Sequence, residues 1–434
     1  MVEINSECRN NGPVLPEILS PAGSFEKLTA ALRFGADAVY LAGKSFGMRS
    51  ACDNFDGEQL RQAVSLVHSG GKKIYLAVNT LPHAGEYPSL REFLSDVSHL
   101  GIDGFIAADL GVISLIRETV PEAAVHISTQ ASICSPAAAA AYASLGARRL
   151  VLARELTLGE IREIRDSLPP KIELECFVHG SMCVSYSGRC MLSNMLAGRD
   201  ANRGECAQPC RWNYTLIEEK RPDERIPVEE TPLGTFIMSS KDMCMLEHVG
   251  ELYAAGVGSF KIEGRVKSAY YTAVVTNAYS IAVRELGRAI RSGIRAEEFR
   301  PSPELLNELM CVSHREYCTG FYFGSPAKNP NLVTKPGYVR DKAFLAVADD
   351  TAGVPQNLIP ENADGKLYRF IQKNKISAGE GAQILSPGLT GRSFTANELW
   401  SEDGLPIAAA PHPGMAFYTR VPFAVSPGDI MRAE

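Results

Sequence analysis

Short apolar runs alternate with amphipathic stretches along the first half of the chain. The runs Glu17–Ser20, Ala38–Ala42, Lys73–Val78, Gly104–Ala108, Val125–Ser128, Leu150–Ala153 and Ile172–Val178 have strand length and end in small or polar residues. Between them, Phe25–Phe34, Gly57–His68, Leu90–Leu100, Val112–Thr119, Pro136–Leu145 and Leu158–Ser167 carry the spacing of helices with one buried face. Gly35, Gly70, Gly101 and Gly146 stand at or near helix ends, where glycine readily stops a helix. Ser24 is placed to cap the first helix, with Glu26 in its first turn.

Strands separated by whole helices predict right-handed crossovers and a parallel sheet. Seven such units precede an interruption; an eighth, Gly258–Ile262 followed by the helix-like Ser268–Leu286, comes after it. The pattern predicts an α/β fold, a (β/α)8 TIM-like barrel with an insertion, 181–240, between strands seven and eight. A doubly wound sheet is the alternative, but Ser20-Pro21-Ala22-Gly23-Ser24 is not the glycine-rich turn that would follow its first strand. Ala42-Gly43-Lys44-Ser45 echoes a phosphate loop, yet Ala38 stands where the earlier glycine is required.

Within the insertion, the charged stretch Glu218–Glu230 reads as an exposed loop between Tyr214–Ile217 and Thr235–Met238. Farther on, Tyr338–Asp349, Leu367–Ile371, Ala382–Leu385, Ser393–Leu399 and Met415–Val421 are short strands set apart by Gly, Pro, Asn and Asp. They predict a small all-β barrel domain. The expected organisation is a polar tail over 1–15, a barrel domain over 16–290, a connector over 291–334 and a β-domain over 335–434.

The chain has 434 residues, 45% hydrophobic and 22% charged, a globular composition that excludes a largely disordered protein. No apolar run approaches the roughly 18 residues of a membrane span, and Met1–Pro13 is polar. The expectation is a cytoplasmic protein with no membrane partner. A net charge of -6 means that any nucleic-acid contact needs a local basic patch.

Eleven cysteines are an odd number, and with no secretory segment expected they do not suggest a disulfide framework. Four form the pattern Cys183-x6-Cys190-x15-Cys206-x3-Cys210. Four thiolates can complete the coordination of a 4Fe-4S cluster or a tetrahedral zinc. The long spacing departs from the paired knuckles of zinc ribbons and suits a cluster wrapped by a loop. Gly188, Gly198 and Gly204 would let the backbone approach it. The plainer alternative, ordinary buried thiols, fits poorly with surroundings rich in Ser, Asn, Asp and Arg.

The strand ends are polar as well: Asn79, Gln130, Arg154 with Glu155, His179, then Lys261, Glu263 and Arg265. Barrel enzymes carry their reacting groups at these ends. His179, Lys261, Glu263, Arg154 and Glu155 are therefore the catalytic candidates, with Asn79, Gln130 and Arg265 for the substrate. Each has a bland reading too, as a rim ion pair or a hydrogen-bonded structural histidine. Arg189, Arg199, Arg203, Arg211 and Trp212 surround the cysteines and offer phosphate contacts and a stacking surface, or else merely balance thiolate charge.

Several blocks carry a resemblance. Glu175-Cys176-Phe177-Val178-His179-Gly180-Ser181-Met182-Cys183 and Ser187-Gly188-Arg189-Cys190-Met191-Leu192-Ser193 match the signature of the collagenase-like U-thirty-two peptidase family. Pro16–Gly23, Ala36–Tyr40 and Lys261-Ile262-Glu263-Gly264-Arg265 are similar to further blocks of that family, from about Pro16 to Gly320, and the trailing β-domain resembles its C-terminal module. Asn202–Cys206 leading to Cys210-Arg211-Trp212, with Ser239-Ser240-Lys241-Asp242, resembles the branch that modifies tRNA to 5-hydroxyuridine. The resemblance implies an iron–sulfur-dependent hydroxylation of the wobble uridine of tRNA, with prephenate as small-molecule cosubstrate. Relatives imply other substrates, ribosomal RNA or a quinone precursor, and the family label implies a peptidase. No His-Glu-x-x-His metalloprotease motif is present. A noncatalytic iron–sulfur binding protein is the remaining alternative. Cys244 competes with Cys210 as fourth ligand; the short spacing from Cys206 favours Cys210.

Overall fold

The structure, a computed structural model, describes residues 13–48, 53–183, 185–186, 190–212, 216–218, 221–226, 240–324, 339, 342–350 and 365–434. Most of the expected 1–15 tail, Ser187–Arg189, Thr235–Met238 and Tyr338 lie outside the described residues. Eight parallel strands close a barrel: β1 (Glu17–Pro21), β2 (Ala38–Leu41), β3 (Lys73–Ala77), β4 (Gly104–Ala107), β5 (Ala124–Ile127), β6 (Arg149–Val151), β7 (Glu173–Ser181) and β8 (Ser259–Ile262). Each pairs with the next, and β8 pairs with both β1 and β7, so no edge is left open.

Helices α1 (Phe25–Arg33), α2 (Gly57–Ser69), α3 (Tyr87–Val97), α4 (Leu110–Thr119), α5 (Pro136–Ser144), α6 (Leu158–Asp166), α7 (Val249–Ala254) and α8 (Ala269–Arg291) flank the strands. Ser24 does cap α1, its side chain accepting from the Lys27 amide. Gly35, Gly101 and Gly146 take the left-handed backbone that stops a helix, at φ of +100°, +80° and +86°. At the end of α2 that role passes to Gly71, at φ +65°, while Gly70 stays at φ -87°. Short α7, which the sequence pattern did not announce, sets its apolar face, Val249 and Leu252, into the core.

The insertion leaves at the end of β7 and the chain returns through Asp242–Cys244, which runs antiparallel to the far end of β7, Asp242 opposite Ser181. The excursion is thus clamped at its base by a two-stranded stem. Within it, part of the stretch expected as a loop is a hairpin, Leu216–Glu218 paired with Arg221–Ile226. Its strands lack the apolar alternation of a half-buried strand, so an apolar-run reading missed it.

The C-terminal segment builds an eight-stranded antiparallel sheet. Its outermost described strands do not pair with one another, so it is a curled half-barrel rather than a closed one. Phe370, Phe417, Ile384 and Met431 fill its own core. Buried Arg432 grips Glu308 with two hydrogen bonds of 2.8 and 2.7 Å, and Arg33 reaches Asp429 at 2.5 Å. These contacts, with Lys373 reaching Glu26 at 3.0 Å and the Phe344 ring stacked on Tyr270, hold the sheet against the barrel's helices.

Candidate active site

Charge is folded into the barrel interior. Along β7, residues of one parity point inward: Glu173, Glu175 and Phe177. Glu175 is fully buried and meets two cations, the Lys261 ammonium at 2.7 Å and the Arg149 guanidinium at 3.0 Å. Arg149, only 3% exposed, also holds Glu17 at 2.6 Å and Glu173 at 2.6 Å. Burial on its own would raise the Glu175 pKa, but Lys261 and Arg149 overcome it and hold the carboxyl at about 2. Lys261 stands over the rings of Tyr40 and Phe177, at 4.7 and 5.5 Å. The network plugs the barrel from below, and its upper member, Lys261, forms the floor of a cavity.

That cavity, of about 220 Å³, opens at the C-terminal ends of the strands. Asn79, Gln130, Arg154, Lys261, Glu263 and Arg265 line it from the barrel, and Cys183, Cys190, Cys206, Cys210 and Arg211 line it from the insertion. Two features that the sequence treated separately, a polar barrel mouth and a cysteine cluster, therefore face the same space. Arg154 donates to the Ser181 carbonyl at 2.9 Å and lies 4.8 Å from the Phe177 ring centroid. Arg265 reaches the Met48 carbonyl at 2.5 Å. Asn79 donates to Gln130 at 2.6 Å.

Cys190 precedes a short helix, Cys206 follows a capped turn, and Cys210 lies within the turn Pro209–Arg211. The helix Leu192–Ala197 ends on Gly198 at φ +65°, and the turn Ala201–Arg203 begins on Asp200, whose carboxylate accepts from the Asn202 amide. Gln208, non-glycine yet at φ +57°, turns its backbone amide onto the Cys206 sulfur at 3.4 Å. Burial raises the Cys210 thiol pKa; Arg211 lowers it, and Cys183, Cys206 and Cys190 raise it again. Thiols that oppose one another's ionisation are an awkward grouping unless a cation or cluster shares them. Among the described residues, no three His, Cys, Asp or Glu side chains stand at the spacing of a closed metal shell. In number and type the four thiols around one cavity are the donors that an iron–sulfur cluster takes, though they do not stand at metal-binding spacing. Cys244 does not share this wall: burial pushes its thiol up to about 12, and it packs against the core.

Four of the expected residues sit elsewhere. His179 would face inward on simple alternation, but a bulge in β7 intervenes: Lys261 pairs with Phe177 and the next residue, Ile262, with His179. The extra residue turns His179 outward, into a cage of Tyr271, Tyr279 and Tyr317 with ring centroids 6.0, 5.6 and 5.2 Å away. It is 1% exposed and does not line the cavity. Burial drives its pKa down to about 3. An unfolded histidine takes a proton near pH 6.5, whereas this one refuses it until about 3, so stability should drain away as pH falls between those values. His179→Phe should flatten that slope in urea titrations at several pH values, without changing metal content.

Glu155 likewise lies off the cavity; its Oε2 is buried with no hydrogen-bond partner, and burial raises its pKa. Arg203 points away from the mouth and binds Glu86 through two hydrogen bonds of 2.8 and 2.7 Å, latching the insertion to the chain before α3. Trp212, 42% exposed, stands beside the cavity rather than in its lining. Arg211 is held by Gln208 at 2.8 Å and stays on the rim.

This constellation of a charged barrel floor and a four-cysteine lid can be set beside known proteins. A model of peptidase family U32 matches residues 23–331, and a model of that family's C-terminal domain matches 358–432. The chain belongs to peptidase family U32. This U32 member is 33% identical over 419 residues to a tRNA hydroxylation protein of Bacillus subtilis, covering 96% of this chain and 94% of that one. It is 36% identical to the 23S rRNA 5-hydroxycytidine synthase of Escherichia coli, over 66% of this chain and 43% of that one. It is also 33% identical to a collagenase of Porphyromonas gingivalis, over 76% of this chain and 78% of that one. The U32 family thus joins proteins named for RNA hydroxylation and for proteolysis, and the site must separate them.

Proposed function

We propose that this U32 protein is an iron–sulfur-dependent RNA hydroxylase that converts the wobble uridine of tRNA to 5-hydroxyuridine, with prephenate as cosubstrate. One observation carries the reading: Cys183, Cys190, Cys206 and Cys210 share a cavity with the polar strand ends of a barrel. The similarity to RNA hydroxylation proteins over nearly the whole chain supports it. A pyrimidine C5 atom is inaccessible within a base stack, so the base must swing out into a pocket, and a cavity at a barrel mouth suits that need.

Cys183, Cys190, Cys206 and Cys210 would hold the cluster, which supplies electron-transfer chemistry that side chains lack. Arg154, Arg265 and Lys267 give the cavity cationic character where the carboxylates of prephenate would be bound. Lys261, held by Glu175 at 2.7 Å, would stand beneath the base at the cavity floor. Arg211 at the rim would meet phosphate.

Nucleoside mass spectrometry of tRNA, from cells with and without the gene, tests the reading: 5-hydroxyuridine should vanish on deletion and return with the wild-type gene. Purified protein should bind tRNA in a salt-sensitive way. Arg211→Glu should weaken that binding and lower the salt slope by about 1 or more, whereas Arg203→Glu should act mainly by breaking the Glu86 latch. A filter-binding series at several salt concentrations distinguishes the two.

The peptidase reading finds less support. No histidine lines the cavity among the described residues, so its thiols lack the base that a cysteine peptidase requires. Gly43-Lys44-Ser45-Phe46-Gly47 has the spacing of a nucleophile elbow, but Ser45 is exposed in a run of bends with no helix following directly.

A further inference from the structure

We propose that Gln130 selects the substrate base by offering a fixed hydrogen-bond donor, so that it accepts uracil and rejects cytosine. The inference rests on the hydroxylase reading above and names the residue that would set its base specificity.

The orientation of a side-chain amide is ordinarily ambiguous, because its oxygen and nitrogen look alike. Here a backbone group settles it. The amide of Met48 can only donate, and it donates to Asn79 Oδ1 at 3.1 Å. Asn79 must therefore turn its Nδ2 outward, and this donates to Gln130 Oε1 at 2.6 Å. Ser128 reinforces the order: its hydroxyl accepts from the Gln130 backbone amide at 3.4 Å and donates to Gln130 Oε1 at 3.3 Å. With its oxygen taken twice, Gln130 has only Nε2 left to present.

That Nε2 is buried and has no hydrogen-bond partner, although Gln130 lines the cavity. A buried donor without an acceptor costs about 1–3 kcal/mol, roughly a 10- to 100-fold effect when a ligand satisfies it. The missing partner is an acceptor on the bound molecule. The exocyclic group at C4, next to the reacting C5, distinguishes the two pyrimidines: a carbonyl acceptor in uracil and an amino donor in cytosine. A fixed donor pairs with the first and repels the second.

Two variants test this without relying on a loss of activity alone. Gln130→Glu keeps an oxygen for Asn79 and Ser128 and replaces the donor by an acceptor. Asn79→Asp acts through Gln130: it removes the Nδ2 donor, so the Gln130 amide should flip and present its oxygen instead. Binding of anticodon stem–loop RNAs, alike except for U or C at the wobble position, should favour U in the wild type. The U-over-C ratio should fall about 10- to 100-fold in both variants. In complemented deletion strains, tRNA 5-hydroxyuridine should fall alongside.

An unchanged ratio in folded Gln130→Glu protein, or a wild type indifferent to the base, overturns the inference. A wild-type gene that restores no 5-hydroxyuridine, together with a binding ratio that still depends on Gln130, removes the hydroxylase reading and leaves the donor assignment standing.

Discussion

Replacing any one of Cys183, Cys190, Cys206 and Cys210 by alanine should strip anaerobically purified protein of iron and acid-labile sulfide. The brown charge-transfer absorption should disappear with them, and 5-hydroxyuridine should drop more than about 100-fold, because a cofactor that carries the hard chemistry has no side-chain substitute. The geometry makes the four equivalent in this respect, since all line one cavity. Cys244→Ala is the matched control. Its thiol lies in the core with its pKa pushed up to about 12, so its loss should leave metal content intact. Iron retained in Cys210→Ala but lost in Cys244→Ala would reassign the fourth ligand. Stoichiometric zinc without iron would replace the cluster by a structural metal.

Arg149→Leu should be the most damaging single change to stability. It would leave buried Glu175 with Lys261 and take from Glu17 its guanidinium partner, while the partly exposed Glu173 keeps Arg148 at 3.5 Å. Breaking a buried ion pair by removing one partner costs about 3–5 kcal/mol, since the remaining charge stays desolvated. The urea midpoint should shift accordingly, and Arg149→Lys should recover only part of it, because an ammonium cannot hold the carboxylates in a planar fork. The same network fixes a pH dependence. Glu175 titrates at about 2 in the folded protein against an ordinary value of 4.5, so its contribution is complete above 4.5 and is lost as pH falls through 2. Arg149→Leu protein should lose part of that dependence and keep the rest, because Lys261 stays beside Glu175 at 2.7 Å.

The barrel was legible because its signal is local. Each strand and helix announces itself within about ten residues, and closure then follows from counting units. Lys261, Glu263, Asn79, Gln130, Arg154 and Arg265 were legible for the same reason, as polar ends of apolar strands. His179 was misplaced by one residue: a bulge is a property of two paired strands, and neither strand's own sequence declares it. The partnership of Arg203 with Glu86 spans the chain from α3 to the insertion and leaves no local trace. The Arg149–Glu175 network did leave one. Glu173 and Glu175 alternate with apolar residues in a strand that a barrel buries on both faces, so inward carboxylates and a buried cation could have been expected.

The antiparallel stem at the base of the insertion separates two events in the life of the polypeptide. Barrel closure needs only β7 to meet β8, and the stem merely extends the far end of β7, so neither draws on the thiols. On the proposed reading, newly made chain can close its barrel before any cluster is loaded, unlike small domains that remain unfolded until metal is bound. Loading the proposed cluster would then be a late step onto a closed barrel, and cells starved of iron should accumulate protease-resistant, inactive protein.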